Sequence, residues 1–330
     1  MTNGPEAVVL RGIEAGLYPG AAFAYGTAET RFEQGVGLLG PDKRADAVDS
    51  STLYDLASLT KVLCTTPLTF VAVGEGLVTL SDLVYDHIPE FPDRTISIRN
   101  LLLHDSGLPD YLEGAIENDA NETWHKILGL APVARPGERT IYSCLGFVLL
   151  KEILERVYGD SLDSLFRTKV AGTLGLGSVQ FGPVAHAAPT GSTQSGIVHD
   201  PLARCFGGVS GNAGLFGAVG DIAGFAQAVM NKRGPFENPG WDKWTVRSGS
   251  LKERGLGWDK KSRTESCAGE KMSDESFGHT GFTGTMVWID PCTSVFAILL
   301  TNAVVLNPDR VALRKLRAEF CDAVSASILG

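Results

Sequence analysis

Hydrophobic residues gather in short strand-like runs at both ends of this chain and recur at helical spacing through its middle. Residues 21–26 (AAFAYG) and 31–37 (RFEQGVG) predict two strands across a polar turn. Residues 285–290 (TMVWID) and 294–301 (SVFAILLT) flank Pro291-Cys292-Thr293 and predict a hairpin. Residues 6–14 predict a short amphipathic helix, and 309–329 predict a longer one through Val311, Leu313, Leu316, Phe320 and Val324. Between the ends, helices are predicted over 58–75, directly after a strand-like segment at 53–57, and over 97–103, 142–158 and 221–231, the last with Asp221 as N-cap. Pro67 falls inside the first of these and is expected to kink it or end it early.

These elements predict an α/β (α+β) architecture. One antiparallel sheet is built from both chain ends with helices on its faces, and a mostly helical unit is inserted between them. The expected division is 1–65 and 215–330 for the two parts of the α/β domain and 66–214 for the helical domain. A site belongs in the cleft between them, where pockets commonly form. The length of 330 residues suits such a pair, and 44% hydrophobic residues suffice for a sizeable core. The net charge of −9 makes nucleic acid and anionic membrane surfaces poor partners. The first twenty residues lack a basic region followed by a long apolar run, and no membrane-spanning stretch occurs, so a cytoplasmic location is expected. The six cysteines are widely and irregularly spaced without a C-x-x-C pair, which predicts free thiols and gives a zinc site no support. Nothing in the sequence points to an oligomeric state.

Three stretches carry candidate chemistry. Ser58-Leu59-Thr60-Lys61 is an S-x-x-K at the start of a predicted helix. Residues three apart share a helix face, so the Lys61 ammonium reaches the Ser58 hydroxyl. A serine needs a neighbouring base to become a nucleophile, and burial among Leu59, Val62 and Leu63 is expected to lower the lysine pKa towards that task. The competing reading is a helix N-cap followed by a surface lysine. Tyr142-Ser143-Cys144 follows a Pro136-Gly137 turn that aims Tyr142 into a cleft, where a nearby ammonium is expected to acidify the phenol. An ordinary half-buried aromatic competes with that reading. Residues 277–285 (FGHTGFTGT) place glycines on a strand edge, where a backbone N–H joins that of Ser58 as an oxyanion hole, or where the chain merely forms a β-bulge.

The order and spacing of these stretches resemble the serine β-lactamase and penicillin-binding protein superfamily, which carries S-x-x-K and K-T-G elements. The resemblance is closest to the class C β-lactamase branch, with its D,D-peptidases, D-aminopeptidases and β-lactamase-fold esterases. It extends to residues 101–109 (LLLHDSGLP), 196–203 (GIVHDPLA), 211–217 (GNAGLFG) and 277–291 (FGHTGFTGTMVWIDP). It implies a β-lactamase-like fold and a serine hydrolase that forms an acyl-enzyme on a small-molecule ester, amide or β-lactam carbonyl, without cofactor or metal. By the same resemblance Ser58 is acylated, Lys61 is its partner, and Tyr142 is the general base or shares that role. His279, Thr280 and Gly281 stand where K-T-G stands, and the N–H groups of Ser58 and Phe282 form the oxyanion hole.

Two departures stand out. Cys144 replaces an asparagine, and a thiol is a poor hydrogen-bond donor to a substrate carbonyl. His279 replaces a lysine and is largely neutral near pH 7, so the cation that would face a substrate carboxylate is missing. Both favour an esterase or amidase over an efficient β-lactamase. The alternative they motivate is a degenerate protein that binds β-lactams or peptidoglycan-like ligands without turnover. The pairs His104-Asp105 and His199-Asp200 sit in Gly- and Pro-containing loops without further ligands for a metal pair, and are expected to brace those loops through hydrogen bonds. No G-x-S-x-G is present, which argues against an α/β-hydrolase elbow.

Overall fold

The computed structural model describes residues 4–112, 119–191, 195–251 and 254–330. Its strands are β1 (Gly20–Thr27), β2 (Arg31–Gly37), β3 (Tyr54–Asp55), β4 (Gln180–Phe181), β5 (Leu215–Gly217), β6 (Asp259–Lys260), β7 (Phe277–Thr280), β8 (Met286–Asp290) and β9 (Val295–Thr301). Six of them form one antiparallel sheet in the order β2-β1-β9-β8-β7-β6. The predicted hairpins are present as β1–β2, with Gly20 opposite Gly37, and as β8–β9, with Asp290 opposite Val295. The two chain ends meet where β1 pairs with β9, Ala24 opposite Ile298.

Successive strand residues point to opposite faces, and both faces are covered. Ala22, Ala24, Ile298 and Leu300 turn towards the helix Val219–Met230 and the main core. Ala21, Phe23, Ala297 and Leu299 turn towards the helices Pro5–Glu14 and Arg310–Leu329. Leu313, Leu316, Phe320 and Val324 are buried as their spacing predicts, whereas Val311, the second residue of its helix, is 46% exposed. Between the sheet-forming ends, the helices Thr66–Gly74, Ile98–Leu103 and Cys144–Tyr158 bury Leu68, Leu101, Phe147 and Leu149 in the main core.

One local expectation is corrected, and of the two outcomes expected at Pro67 the early end fails. The helix Val219–Met230 is N-capped by extended Ala218, and Asp221 lies in its first turn, where its carboxylate accepts hydrogen bonds from Ser178 N and Oγ at 2.6 and 2.7 Å. Pro67 does not end its helix. The turn before it, Lys61–Thr65, widens to a π-helix in which Thr66 N–H reaches the Lys61 carbonyl, and this absorbs the proline ring ahead of Gly74. A second, three-stranded sheet, β3-β5-β4, also forms: β3 lies within the strand-like run at 53–57, while β4 and β5 went unpredicted. The sheet delivers the chain to Asp55, three residues before Ser58.

Candidate active site

Ser58 sits on a tight turn. The buried Asp55 carboxylate accepts from Ala57 N–H at 2.8 Å, and Ala57 adopts φ +47°, an uncommon conformation for a residue with a side chain. The helix begins at once, and Lys61 swings back over Ser58. Its fully buried Nζ donates to Ser58 Oγ at 3.0 Å, to the Asn212 carbonyl at 2.9 Å and to Cys144 Sγ at 3.6 Å, so each ammonium proton has a partner. Burial pulls the Lys61 pKa down, but Cys144, Tyr142 and Asp200 together outweigh it and the net shift is upward. The expected lowering therefore fails: in the resting site Lys61 is an ammonium, because the acidic groups close by outweigh desolvation.

Tyr142 hangs from the loop at 104–110. Ile141 N–H donates to the His104 carbonyl at 2.8 Å, Ser143 N–H to His104 Nδ1 at 2.9 Å, and Cys144 N–H to the Asp110 carbonyl at 2.8 Å. The His104 ring lies 4.5 Å from that of Tyr142 and 5.1 Å from that of Phe147. Because Nδ1 accepts, the ring proton is on Nε2. Burial above all, then the charges of Arg254 and Lys61, hold the His104 pKa well down. These contacts fit the bracing role expected for His104. Tyr142 is 37% exposed, and the rest of its side chain is desolvated against the cavity wall. That desolvation raises the phenol pKa, although Lys61 and hydrogen bonds to Lys61 and Ser58 oppose it. The acidified phenol expected from the sequence is thus replaced by a neutral one. Cys144 is 9% exposed and shares the cavity wall with Ser58 and Tyr142.

The facing wall is the open end of β7. Thr283 Oγ1 donates to the Asp55 carbonyl at 2.7 Å and Thr285 Oγ1 to that of Leu56 at 3.1 Å, which clamps this strand end against the serine turn. A side chain at Gly281 would collide with Thr285 Oγ1 and the Leu56 carbonyl, so the close approach requires glycine. Among the described residues, neither Ser58 N–H nor Phe282 N–H donates to a backbone carbonyl outside the regular elements. His279 is buried, its Nδ1 donates to the Thr280 carbonyl at 2.8 Å, and its Nε2 has no partner among the described residues. Burial drives its pKa to about 4, against the pull of Asp259 and with help from Lys61 and Arg254, so it is neutral at pH 7. Phe282 is 59% exposed at the mouth of the cleft, stacked 5.6 Å from His199 and covered by Arg310 at 4.3 Å.

These walls enclose a cavity of about 830 Å³ that Ser58, Tyr142, Cys144, His279, Thr280, Gly281 and Phe282 all line, with Lys61 directly behind. All eight candidates from the sequence thus meet at one place. Tyr111, Asp200 and Arg254 also line it and were missed as site residues. Asp200 caps the helix Pro201–Cys205 and accepts from Asn212 Nδ2 at 3.2 Å, while His199 N–H donates to Asp55 Oδ2 at 2.7 Å. Asp55 itself is pushed up to about 6, by burial first, against hydrogen bonds from His199 and Ala57. Among the described residues, no group of three or more His, Cys, Asp or Glu side chains is placed to hold a metal ion, and no helix is long and apolar enough to cross a membrane. The six cysteines are free thiols.

Comparison with known proteins gives a consistent result. The sequence profile of the beta-lactamase family matches residues 7–322. A protein of Escherichia coli (strain K12) named as a D-alanyl-D-alanine carboxypeptidase is 31% identical over 301 residues, spanning 77% of this chain and 69% of that protein. The solved structure of EstCE1, described as a hydrolase with promiscuous acyltransferase activity, superposes with a TM-score of 0.79 at 19% identity, covering 96% of this chain and 97% of that one. A class C beta-lactamase also superposes with a TM-score of 0.79, at 16% identity, covering 96% and 94%.

Proposed function

Since this chain belongs to the beta-lactamase family and is a serine hydrolase acting through an acyl-enzyme, we propose that Ser58 is its nucleophile, with Lys61 and Tyr142 as one proton-handling unit. The observation that carries this reading is the 3.0 Å hydrogen bond from Lys61 Nζ to Ser58 Oγ at a cavity that Tyr142 also lines. Ser58 Oγ attacks the substrate carbonyl carbon and its proton passes into the Lys61–Tyr142 unit. The tetrahedral oxyanion is held by the N–H groups of Ser58 and Phe282. The unit returns the proton to the leaving group as the carbonyl–leaving-group bond breaks, and water then frees the acyl group by the same steps. Because Lys61 and Tyr142 both rest in their protonated forms, the pair first gives up one proton to solvent through the open cleft, and the vacancy so formed receives the Ser58 proton.

The named activities of the relatives extend this proposal to peptide, ester and β-lactam carbonyls. A panel of p-nitrophenyl esters, nitrocefin and D-amino-acid amides tests it. The expected result is a burst followed by steady turnover, with one fluorophosphonate adduct on Ser58 that Ser58→Ala abolishes. An adduct that persists in Ser58→Ala overturns the assignment, and a burst without turnover replaces the hydrolase with a binder. Lys61→Ala and Tyr142→Phe are each expected to lower kcat on the order of 10²–10⁴-fold, and the double variant by little more, because a unit is lost once.

A further inference from the structure

The peptide that carries the Phe282 N–H also carries the Gly281 carbonyl. The two groups are conjugated ends of one amide, so whatever binds the carbonyl acts on the N–H. The Gly281 carbonyl accepts from Gly284 N–H at 3.2 Å, and Gly281 N–H donates to the Thr285 carbonyl at 2.8 Å, which closes the turn between β7 and β8. Arg317 reaches this turn from the helix Arg310–Leu329. Its Nη2 donates to the Thr285 carbonyl at 3.1 Å and, at a longer 3.4 Å, to the Gly281 carbonyl. About two turns earlier on the same helix, Arg310 Nη1 donates to the Phe282 carbonyl at 2.8 Å. One helix thus holds the carbonyls on both sides of the Phe282 N–H.

Folding does not account for a cation at this place. The Gly281 and Thr285 carbonyls each have a backbone donor already, so both are satisfied without Arg317. The Arg317 side chain is buried, and its Nε has no partner among the described residues. Nor is a carboxylate paired with it among those residues; the acids that act on it are the Cys267 thiol and the Tyr18 phenol. Burial raises the pKa of both, so both are neutral at pH 7. An arginine cannot shed its charge to escape burial, and a buried charge without a counter-ion is costly. A methionine of similar length would avoid that cost.

We propose that Arg317 is a positioning residue for acyl transfer: through the Gly281 carbonyl it polarises the Gly281–Phe282 peptide and strengthens the Phe282 N–H as a donor to the tetrahedral oxyanion. Hydrogen bonds in series reinforce one another, and a charged donor away from water is the strongest head of such a series. The proposal rests on the reading above that the Phe282 N–H receives the oxyanion. It makes the buried charge a cost the fold bears for the reaction.

The test compares p-nitrophenyl acetate with its thiono analogue, in which sulfur replaces the carbonyl oxygen. Sulfur accepts hydrogen bonds weakly, so the ratio of the two kcat/KM values reports the strength of the oxyanion donors, and any general loss of activity cancels. Wild type is expected to favour the oxygen ester. Arg317→Met is expected to lower that ratio on the order of 10-fold, less than the 10²–10³-fold that loss of an oxyanion donor costs, because the N–H remains and only its polarity falls. Arg317→Lys, which keeps the charge, should restore most of the ratio. Urea unfolding of Arg317→Met should show a midpoint equal to or above that of wild type, since a buried charge is gone and no carbonyl is left unmet. A lowered midpoint makes Arg317 a structural brace and overturns the proposal, as does a ratio as low in Arg317→Lys as in Arg317→Met. If wild type prefers the oxygen ester and Arg317→Met keeps that preference, only the role of Arg317 fails. If wild type cleaves both esters equally well, the oxyanion-hole reading itself fails and takes this inference with it.

Discussion

Cys144 is the residue whose chemistry departs most from its surroundings. Its sulfur accepts from the Lys61 ammonium at 3.6 Å on the cavity wall, where a carbonyl oxygen would be a far better acceptor. An asparagine here would accept from Lys61 and still present an N–H to a substrate carbonyl. A hydrogen bond of that kind contributes about 0.5–1.5 kcal/mol, so Cys144→Asn is expected to raise nitrocefin turnover relative to short-chain ester turnover by about 2- to 15-fold. An unchanged ratio with a lowered Tm would mean that Cys144 only packs. Single residues also divide by how much the sequence could say about them. Ser58 and Lys61 were visible because three-residue spacing on a helix is a local geometric fact. Arg254 was not, because its loop carries no periodicity or spacing and reaches the site only once β6 and β7 are paired.

Among the elements, the loop at 104–110 has the largest leverage for its size. Its backbone and the His104 ring together hold residues 141–144, and so set where Tyr142 points. His104→Ala strands the Ser143 N–H and empties the space between Tyr142 and Phe147. A loss of about 2–4 kcal/mol in urea unfolding is expected, from an unmet buried donor plus a cavity, together with a fall in kcat. His104→Asn keeps an acceptor and tolerates the left-handed backbone at φ +56°, so it should retain more of both. The hairpins and long helices were legible because their patterns run for several periods, as in β9 and the helix Arg310–Leu329. Of the β3-β5-β4 sheet only the run at 53–57 that holds β3 was legible, since strands of two and three residues contain no period to read. The helix Val219–Met230 misled at its start because Asp221, a good capping residue, serves Ser178 instead. At Pro67 the sequence showed that regular helix geometry must fail, but the widened turn is a tertiary solution.

For the molecule as a whole, buried titrating groups set how stability answers to acid. His279 falls to about 4 from an ordinary 6.5, so the unfolded chain binds more protons between those values, and stability is lost as pH drops through that window. The loss is about 3 kcal/mol at roughly 1.4 kcal/mol per unit. Asp55 works in the opposite sense. Raised from 3.8 to about 6, it binds its proton more readily when folded, so stability is gained as pH drops from 6 to 3.8, again by about 3 kcal/mol. Denaturant unfolding at pH 7 and pH 5 should therefore show less acid destabilisation in His279→Gln and more in Asp55→Asn; equal slopes in both variants would contradict this balance. The sheet that surrounds these groups has a different consequence, for biosynthesis. β1 pairs on one edge with β2, its neighbour in the chain, but on the other only with β9. On the ribosome, β1 waits with one row of N–H and C=O groups unmatched until residues 295–301 emerge, an exposed edge of the kind that recruits foreign strands. The clamp from Thr283 to Asp55 closes a span of 228 residues, and so distant a contact forms late and slowly. Ser58 is thus made early and armed late: a nascent chain carries its proposed nucleophile, but lacks the Phe282 N–H proposed to receive an oxyanion until the strands after it have left the exit tunnel.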